Sequence, residues 1–329
     1  MAQGEAKREA LFNEVKGSLF EYLVGKEIAV RAGDELAFQK SLDPNYLTVL
    51  AQQDRMVRQF YPEMTAFLSQ VSKLTTDELE KYVGKKLTRP KLLGKFINSS
   101  LGSIFKEADL AFEAEGAEKF VSLKLNKKNA YVNTKSGGIK SFFGHYFPFV
   151  SPGVQEKFNA RVEMEFETMA RELHAFHDMP YPGNFAHWVK KGFSELPGEL
   201  SDGERAILKA YYARIARDMH LIMMTLEKEN PMEFRSNLAT LMGFGQEEVI
   251  QAICFHDMKA DGVPYLHIHE LKSHELSTAE MLPFENVSSV ELSVGGDLLQ
   301  IRVKPMNKFT TTAIKINCSV KFSKRPSGA

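Results

Sequence analysis

The sequence predicts a mixed α/β (α+β) chain: a core sheet flanked by helices, a large helical insertion and a C-terminal strand-rich region. Apolar residues recur at helical spacing over residues 5–84 and again over 152–256. Between these blocks, and again after Pro264, apolar and polar residues alternate with the period of a strand. Two strand-rich segments separated by helices therefore define the predicted architecture.

The first block is predicted to form a helical layer. Its patterns are AKREALFNEVKGSLFEYLVGKEIAV, a second long repeat over 46–71, and TTDELEKYV, which opens like a capped helix. RPKLLGKFINSSLGSIF follows as a shorter amphipathic helix, with Pro90 tolerated in its first turn.

The period then changes to that of a β-hairpin. ADLAFEAEG alternates around Asp109, and after a glycine-containing turn FVSLKLN alternates with Ser122 and Lys124 on one face. AYVNTK is predicted as a third strand and IKSFFGHYF as a short helix. The second helical block includes QEEVIQAICF, and the later strands are PYLHIHELK, VSSVELSVGG, LLQIRVKPM and AIKINCSVKF, with a tight turn at Gly295-Gly296.

These elements divide the chain into three predicted parts. Residues 1–150 combine the helical layer with the hairpin, 151–258 form a helical block for recognition, dimerisation or spacing, and 259–329 form a basic β-rich segment packed with the core. The 43% apolar content over 329 residues suffices for a real core, and no stretch approaches the roughly 20 apolar residues of a membrane span. Cys254 and Cys318 lie far apart, which favours a chain without a disulfide framework, and MAQGEAKREA lacks the apolar run of a secretory signal. A cytoplasmic protein with no membrane partner is therefore expected.

Charge is balanced overall but segregated along the chain. There are 42 basic and 42 acidic residues, yet Lys81–Lys106, 119–155 and the tail after Asp297 contain basic residues and no acid. Three such runs favour a nucleic-acid-binding surface over solvated faces that cluster by chance. The residues predicted to contact nucleic acid are Lys127, Lys128, Lys135, Lys140, Arg302, Lys304 and Lys308.

The hairpin brings together the groups that phosphodiester hydrolysis needs. A metal ion activates water and neutralises the phosphate, and Mg²⁺ prefers hard oxygen ligands. Asp109 and the main-chain carbonyl of Leu123 are predicted ligands, and Lys124 is a cation on the same face as Ser122. Glu21 is predicted to complete the set, because Gly17 and Gly25 lie one turn to either side and let that helix face approach a sheet closely.

Together these residues resemble the PD-(D/E)xK nuclease superfamily, over roughly residues 1–150. The resemblance implies a restriction-endonuclease-like core in which Asp109 and Glu21 bind Mg²⁺, or Mn²⁺ in its place, and Lys124 positions the attacking water. Ser122 replaces the acid of the second motif and Ala108 replaces the usual proline; some restriction-enzyme branches are similar in using serine there and a helical carboxylate. The implied function is a type II restriction endonuclease that cuts double-stranded DNA, as a homodimer.

Other interpretations of the same residues stay open. Asp257-Met258-Lys259 is a more literal D-x-K motif, but the residues before it are predicted to be helical. His267 and His269 share a strand face and His174 and His177 a helix face, so a zinc site is conceivable, although no H-E-x-x-H pattern is present. The alternative functions are a non-catalytic nucleic-acid-binding or assembly protein and a helical scaffold.

Overall fold

The computed structural model describes residues 2–93, 108–244, 249–257, 263–270, 273–285 and 288–323, with side chains from residue 12 onward except that of Ser273. It divides into two compact units. The first contains residues up to Ala130 together with 246–270, and the second contains Tyr131–Gly245 together with 271–325. Each unit has its own sheet and its own helices, and the fold is mixed α+β.

The first unit opens with the predicted helical layer, which the structure confirms. The helices are α1 (Ala2–Ala32), α2 (Glu35–Ser41), α3 (Pro44–Phe60) and α4 (Pro62–Val83). The Asp43 carboxylate caps α3 by accepting from the N–H groups of Asn45 (2.7 Å) and Tyr46 (3.2 Å), and Pro44 lies in the first turn, where no N–H is needed.

The sheet of the first unit has five strands in the order β1-β2-β3-β5-β6. They are β1 (Thr88–Leu92), β2 (Leu110–Ala114), β3 (Ala117–Lys127), β5 (Val249–His256) and β6 (Tyr265–His269). The predicted hairpin is confirmed as β2 and β3, joined through Glu115 and Gly116, both at positive φ as a two-residue turn requires. β5 pairs parallel with β3 and the other neighbours are antiparallel.

The two faces of this sheet have different partners. Val121 and Leu123 of β3 and Ala252 of β5 belong to one apolar core with the buried side chains of α1, α3 and α4. Because side chains alternate along a strand, Ser122 and Lys124 project from the opposite face. The helices therefore support the hairpin from behind, and its polar residues lie on the other side.

Two segments predicted as helices are strands. RPKL forms most of β1, which is an edge strand, so Pro90 removes no ladder hydrogen bond to a second neighbour. Arg89 has φ +48°, and the register shifts between Thr88 and Lys91. Beyond Leu93, the remainder of that predicted helix lies outside the described residues. VIQAICFH forms β5, which is mostly apolar and buried along nearly its whole length, and such a run lacks the alternation that separates a strand from a buried helix.

The two glycines beside Glu21 make different contacts. Nothing lies within 4 Å of a Cβ built at Gly17, whereas one built at Gly25 lies 2.9 Å from the Phe38 ring and 3.2 Å from the Leu110 side chain. Gly25 thus lets α1 approach β2, as the sequence predicted for this helix face.

We expect Gly17→Ala to raise the free energy of unfolding by about 0.5–1 kcal/mol, through helix propensity alone. Gly25→Ala has the same propensity gain, but its methyl group must displace Phe38 or Leu110, so this variant should be about 1–3 kcal/mol less stable than Gly17→Ala. Urea unfolding of both variants measures the difference. Equal stabilities would contradict the close approach of α1 to β2.

The second unit contains an antiparallel sheet in the order β4-β10-β9-β8-β7. Its strands are β4 (Val132–Gly138), β7 (Glu280–Met281), β8 (Ser289–Val294), β9 (Asp297–Pro305) and β10 (Ile314–Lys321), and the turn at Gly295-Gly296 is confirmed. The helices are α5 (Phe142–Tyr146), α6 (Pro152–Phe176), α7 (Ala186–Lys190), α8 (Asp202–Glu229), α9 (Pro231–Leu241) and α10 (Ser273–Ser277).

Strand pairing determines where the chain passes between the units. The third predicted strand, β4, pairs with β10 of the second unit, and β5 returns to pair with β3 of the first. The chain therefore crosses near residues 130, 245 and 270, whereas the sequence predicted boundaries at 150 and 258. Across the described ranges, no helix has both the length and the apolar character needed to cross a bilayer.

Candidate functional site

The carboxylate of Asp109 lies at the centre of the polar residues on the hairpin. Its Oδ2 atom accepts from the main-chain N–H of Leu123 at 2.7 Å and from the Ser122 hydroxyl at 3.2 Å, and it lies 3.3 Å from the Lys124 ammonium. The structure thus brings together Asp109, Ser122, Leu123 and Lys124, four of the residues predicted for the site.

The start of β2 explains why these groups meet. Asp109 immediately precedes the strand, where its N–H donates to the Val121 carbonyl (2.9 Å) and its own carbonyl accepts from Leu93 (3.0 Å). Leu123 lies two residues beyond Val121, so its N–H points to the same side of β3 as the Val121 carbonyl. There it donates to the Asp109 side chain and not to the main chain of a neighbouring strand. Because the N–H and C=O of one strand residue point to the same side, the Leu123 carbonyl also faces this edge.

Burial makes the site a sheltered but accessible surface. Ser122 is 2% exposed, whereas the Asp109 side chain is 19% exposed and the Lys124 side chain 35% exposed. Lys124 supplies the positive charge beside the Asp109 carboxylate, and the Leu123 side chain anchors β3 in the core on the other face. A ligand arriving at this edge would meet a carboxylate, a hydroxyl and an ammonium held by the strand backbone.

Glu21 lies on α1, one helical turn before Gly25. Since Gly25 faces Leu110, the residue next to Asp109, the helix face that carries Glu21 is directed at the start of β2. Glu21 is half-buried, and burial together with the charge of Glu21 raises the pKa of Tyr46 above its ordinary range. Glu21 therefore belongs to the helical layer that packs on the Leu110, Val121 and Leu123 face of the sheet, whereas Ser122 and Lys124 project from the other face.

The oxygen donors at this edge suit a hard divalent cation. Asp109 offers a carboxylate and Leu123 a main-chain carbonyl, and both are ligand types that Mg²⁺ takes. In the part of the chain that the structure describes, no three His, Cys, Asp or Glu side chains form a group that could hold a metal. The predicted magnesium set contains two such side chains, Asp109 and Glu21, so its remaining ligands must be main-chain, amide or water oxygens.

Two polar residues lie beside this site that were not predicted to belong to it, Gln251, which the sequence analysis did not single out, and His269, which it considered only for a zinc site. Gln251 of β5 lies directly opposite Ser122, and His269 of β6 lies opposite Gln251, with both side chains at least nine-tenths buried. Gln251 was hidden by the prediction of a helix for QEEVIQAICF. A run of eight residues rich in β-branched and aromatic side chains was the available signal for a buried strand.

The predicted nucleic-acid contacts lie in different environments. Lys127 and Lys128 are exposed at the end of β3, whereas Lys135 of β4 is half-buried and its pKa is lowered to about 8 by that burial. The Lys140 ammonium is paired with Glu163 at 2.5 Å, and Lys308 with Glu195. Lys140 and Lys308 therefore each have a carboxylate partner that nucleic acid would have to replace.

Arg302 and Lys304 share the outward face of β9. Lys304 lies directly opposite Lys315 of β10, and burial, followed by the charges of Lys315 and Arg302, lowers the pKa of Lys304. Like charges on opposite residues destabilise a strand pair. A phosphate placed against this face would relieve the repulsion.

Part of the first basic run is paired with acids in space. Lys85, Arg89 and Lys91 pair with Glu115, Glu113 and Glu118 of the hairpin. At these three positions, basic residues that lie apart from acids along the sequence have acidic partners in the fold.

The residues of the alternative motifs are described in part. A helix was predicted before Asp257-Met258-Lys259, and this was wrong because β5 precedes Asp257. Met258 and Lys259 lie outside the described residues. The rings of His267 and His269 lie 5.6 Å apart, and His174 is buried with Nδ1 against the Ala170 carbonyl at 2.8 Å.

His256, at the end of β5, gives a test by pH. It is 3% exposed, and its ring nitrogens have no hydrogen-bond partner among the residues described. Burial, then the charges of Lys16 and Lys127, lower its pKa from 6.5 to about 4, with Asp257 acting in the opposite sense. Between these values the unfolded chain binds a proton that the folded chain excludes, so stability is lost as the pH falls through this window.

We expect His256→Phe to remove this part of the pH dependence. One pKa unit corresponds to about 1.4 kcal/mol, so urea unfolding at about pH 7 and about pH 4.5 should separate the variant from the parent chain. An unchanged difference in unfolding free energy between the two pH values would contradict the burial of a neutral His256.

The site formed by Asp109, Ser122, Leu123 and Lys124 is a carboxylate at a strand start, a hydroxyl and an ammonium two residues apart on the next strand, and the main-chain N–H between them. In comparison with known proteins, no protein-family model, no curated protein and no solved structure matches the chain.

Proposed function

We propose that this chain is a Mg²⁺-dependent DNA endonuclease with a restriction-endonuclease-like core. The observation that carries the proposal is the convergence of Lys124, Ser122 and the Leu123 backbone on the Asp109 carboxylate. Strand alternation predicted that convergence, and the resemblance to PD-(D/E)xK nucleases assigns a chemical role to each group. Cytoplasmic cleavage of double-stranded DNA by a homodimer, as a type II restriction enzyme, is the specific form of the proposal.

In this proposal Asp109, Glu21 and the Leu123 carbonyl hold the ion. When bound, Mg²⁺ supplies activation of water and neutralisation of charge on the phosphate. Lys124 orients the attacking water or stabilises the negative charge that develops as the P–O bond breaks. The Ser122 hydroxyl donates to Asp109 and so fixes the carboxylate for its role.

Contacts to the DNA backbone would come from basic residues near the site and on the outward face of β9. Lys127 and Lys128 extend from the end of β3, and Arg302 and Lys304 share a face of β9 on which Lys304 lies opposite Lys315. Phosphate contacts of this kind position the protein without selecting a sequence. Lys135, Lys140 and Lys308 are proposed as further contacts.

Incubating the purified chain with supercoiled plasmid in Mg²⁺, Mn²⁺ or EDTA tests this function. We expect nicked and linear products with either metal and none with EDTA, and a parallel reaction on RNA tests the choice of substrate. Intact plasmid in both metals, with the protein folded and bound to DNA at low salt, would sink the nuclease proposal.

That outcome would favour the second candidate, a non-catalytic nucleic-acid-binding or assembly protein. The observation that supports it is the opposed Lys304 and Lys315 pair, which suits an anionic partner whether or not a bond is cut. Its binding should weaken steeply with added salt. A chain with no affinity for nucleic acid at low salt would instead be a helical scaffold.

A further inference from the structure

Three buried polar side chains form a row across the sheet of the first unit. Ser122 of β3 lies opposite Gln251 of β5, which lies opposite His269 of β6, and opposite residues project from the same face. They are 2%, 8% and 5% exposed. The next row, on the helix-covered face, is Leu123, Ala252 and Ile268, all of them apolar.

The buried polar atoms of this row need hydrogen-bond partners or a ligand. Burying polar groups is costly unless they are hydrogen-bonded or bind a ligand, and a core row can be built from apolar residues at no such cost. The row also ends at the candidate site, because the Ser122 hydroxyl lies 3.2 Å from Asp109 Oδ2. Its polarity therefore continues the site of the hairpin instead of forming a separate feature.

Gln251 is the member that can supply an oxygen ligand. Neighbouring strands lie about 4.8 Å apart, a gap that the long side chain of glutamine can span. Asp109 and Gln251 thus flank Ser122 from the two adjacent strands. Ser122, which stands where the acid of the second motif is expected, is shorter than an acidic residue and carries no charge.

We propose that the Gln251 amide oxygen is a ligand for the divalent cation and stands in for the acid that Ser122 replaces. This inference rests on the proposed nuclease function, since it concerns the same ion. A neutral amide in place of a carboxylate gives a weaker site with one negative charge fewer. Gln251 would then approach the ion from β5, on the face of the sheet that carries Ser122.

Binding of Mn²⁺ to the full chain, followed by electron paramagnetic resonance of the free ion, tests the inference without measuring activity. We expect Gln251→Ala to raise the Kd about tenfold, a size typical of losing one interaction at a metal site. Gln251→Glu should lower the Kd at least about tenfold, because a carboxylate replaces the amide. Gln52→Glu, with the same charge change on an exposed residue of α3, should match the parent chain.

The direction of the Gln251→Glu effect separates two roles. A residue that only donated its amide N–H to Asp109 or Ser122 would be impaired by both substitutions, because a carboxylate cannot donate. Weaker Mn²⁺ binding by Gln251→Glu therefore overturns the proposal, as does binding unchanged in both variants. Thermal unfolding with and without Mn²⁺ checks folding, and Gln251→Glu should gain more stability from the metal than the parent chain does.

Restoring the missing acid provides a second, independent test. In a Ser122→Asp background, the new carboxylate should make Gln251 dispensable, so Gln251→Ala should change the Kd less than about twofold. An undiminished tenfold effect there would overturn the proposal. Loss of Mn²⁺ binding in Asp109→Ala with no effect at Gln251 rejects only this inference, whereas a parent chain that binds no Mn²⁺ rejects the proposed function as well.

Discussion

Asp109→Ala and Lys124→Ala are each expected to lower the rate of Mg²⁺-dependent DNA cleavage by at least about 10²-fold. Asp109 would lose the carboxylate that holds the ion, and Lys124 the charge that acts on the attacking water or the developing phosphate charge. Plasmid cleavage rates, measured at equal protein concentration, provide the comparison. The matched control is Lys91→Ala, which removes an exposed lysine from the same sheet and breaks only its 3.0 Å pair with Glu118.

Folding must be separated from chemistry in these variants. Asp109 and Lys124 are partners, so removing either leaves the other without its charge, and circular dichroism and thermal unfolding should accompany each rate. Folded variants that cleave at the parental rate would show that the hairpin is structural. The proposed site would then be wrong even if the chain cuts DNA.

Phe112→Ala is expected to cost about 3–5 kcal/mol of unfolding free energy, the usual range for truncating a buried phenylalanine. Phe112 is 1% exposed on β2 and packs in the core that joins the sheet to α1, α3 and α4. Phe60→Ala is the control, because Phe60 is 62% exposed at the end of α3 and its loss should change stability by less than about 0.5 kcal/mol.

Guanidinium unfolding monitored by far-ultraviolet circular dichroism measures both changes. Similar losses for Phe112 and Phe60 would mean that β2 does not pack on the helical layer in the way described. Since Ser122 and Lys124 occupy the opposite face, such a result would also remove the structural basis for their orientation.

The hairpin could be predicted because its signals are local. Alternation around Asp109 and Lys124 and the glycine at position 116 specify two strands, a turn and one shared face within 20 residues. The helical layer has equally local patterns, and Gly25 was correctly identified as a point of close approach.

The remaining strands depend on pairing between distant residues. β5 follows β3 by more than 120 residues, and its apolar run is compatible with a buried helix until the neighbouring strand is known. β1 contains a proline, which argues against a strand unless the segment is known to lie at the edge of a sheet. Gln251 was missed for this reason, since its position opposite Ser122 exists only in the paired sheet.

The division into units was hidden in the same way. AYVNTK follows the hairpin along the chain, yet β4 pairs with β10, about 180 residues later. No feature within the segment indicates that partner. The predicted first part of the chain therefore extended to residue 150, whereas Tyr131 and the residues after it belong to the second unit.

Nicking of supercoiled plasmid in Mg²⁺ by the parent chain and by Asp109→Asn, purified in parallel, tests the central claim most directly. The substitution keeps the shape of the side chain and removes only the charge that the cation requires. We expect cleavage by the parent chain that stops with EDTA, and a rate at least about 10²-fold lower for Asp109→Asn. Equal cleavage by the two proteins, or cleavage by neither, would contradict it.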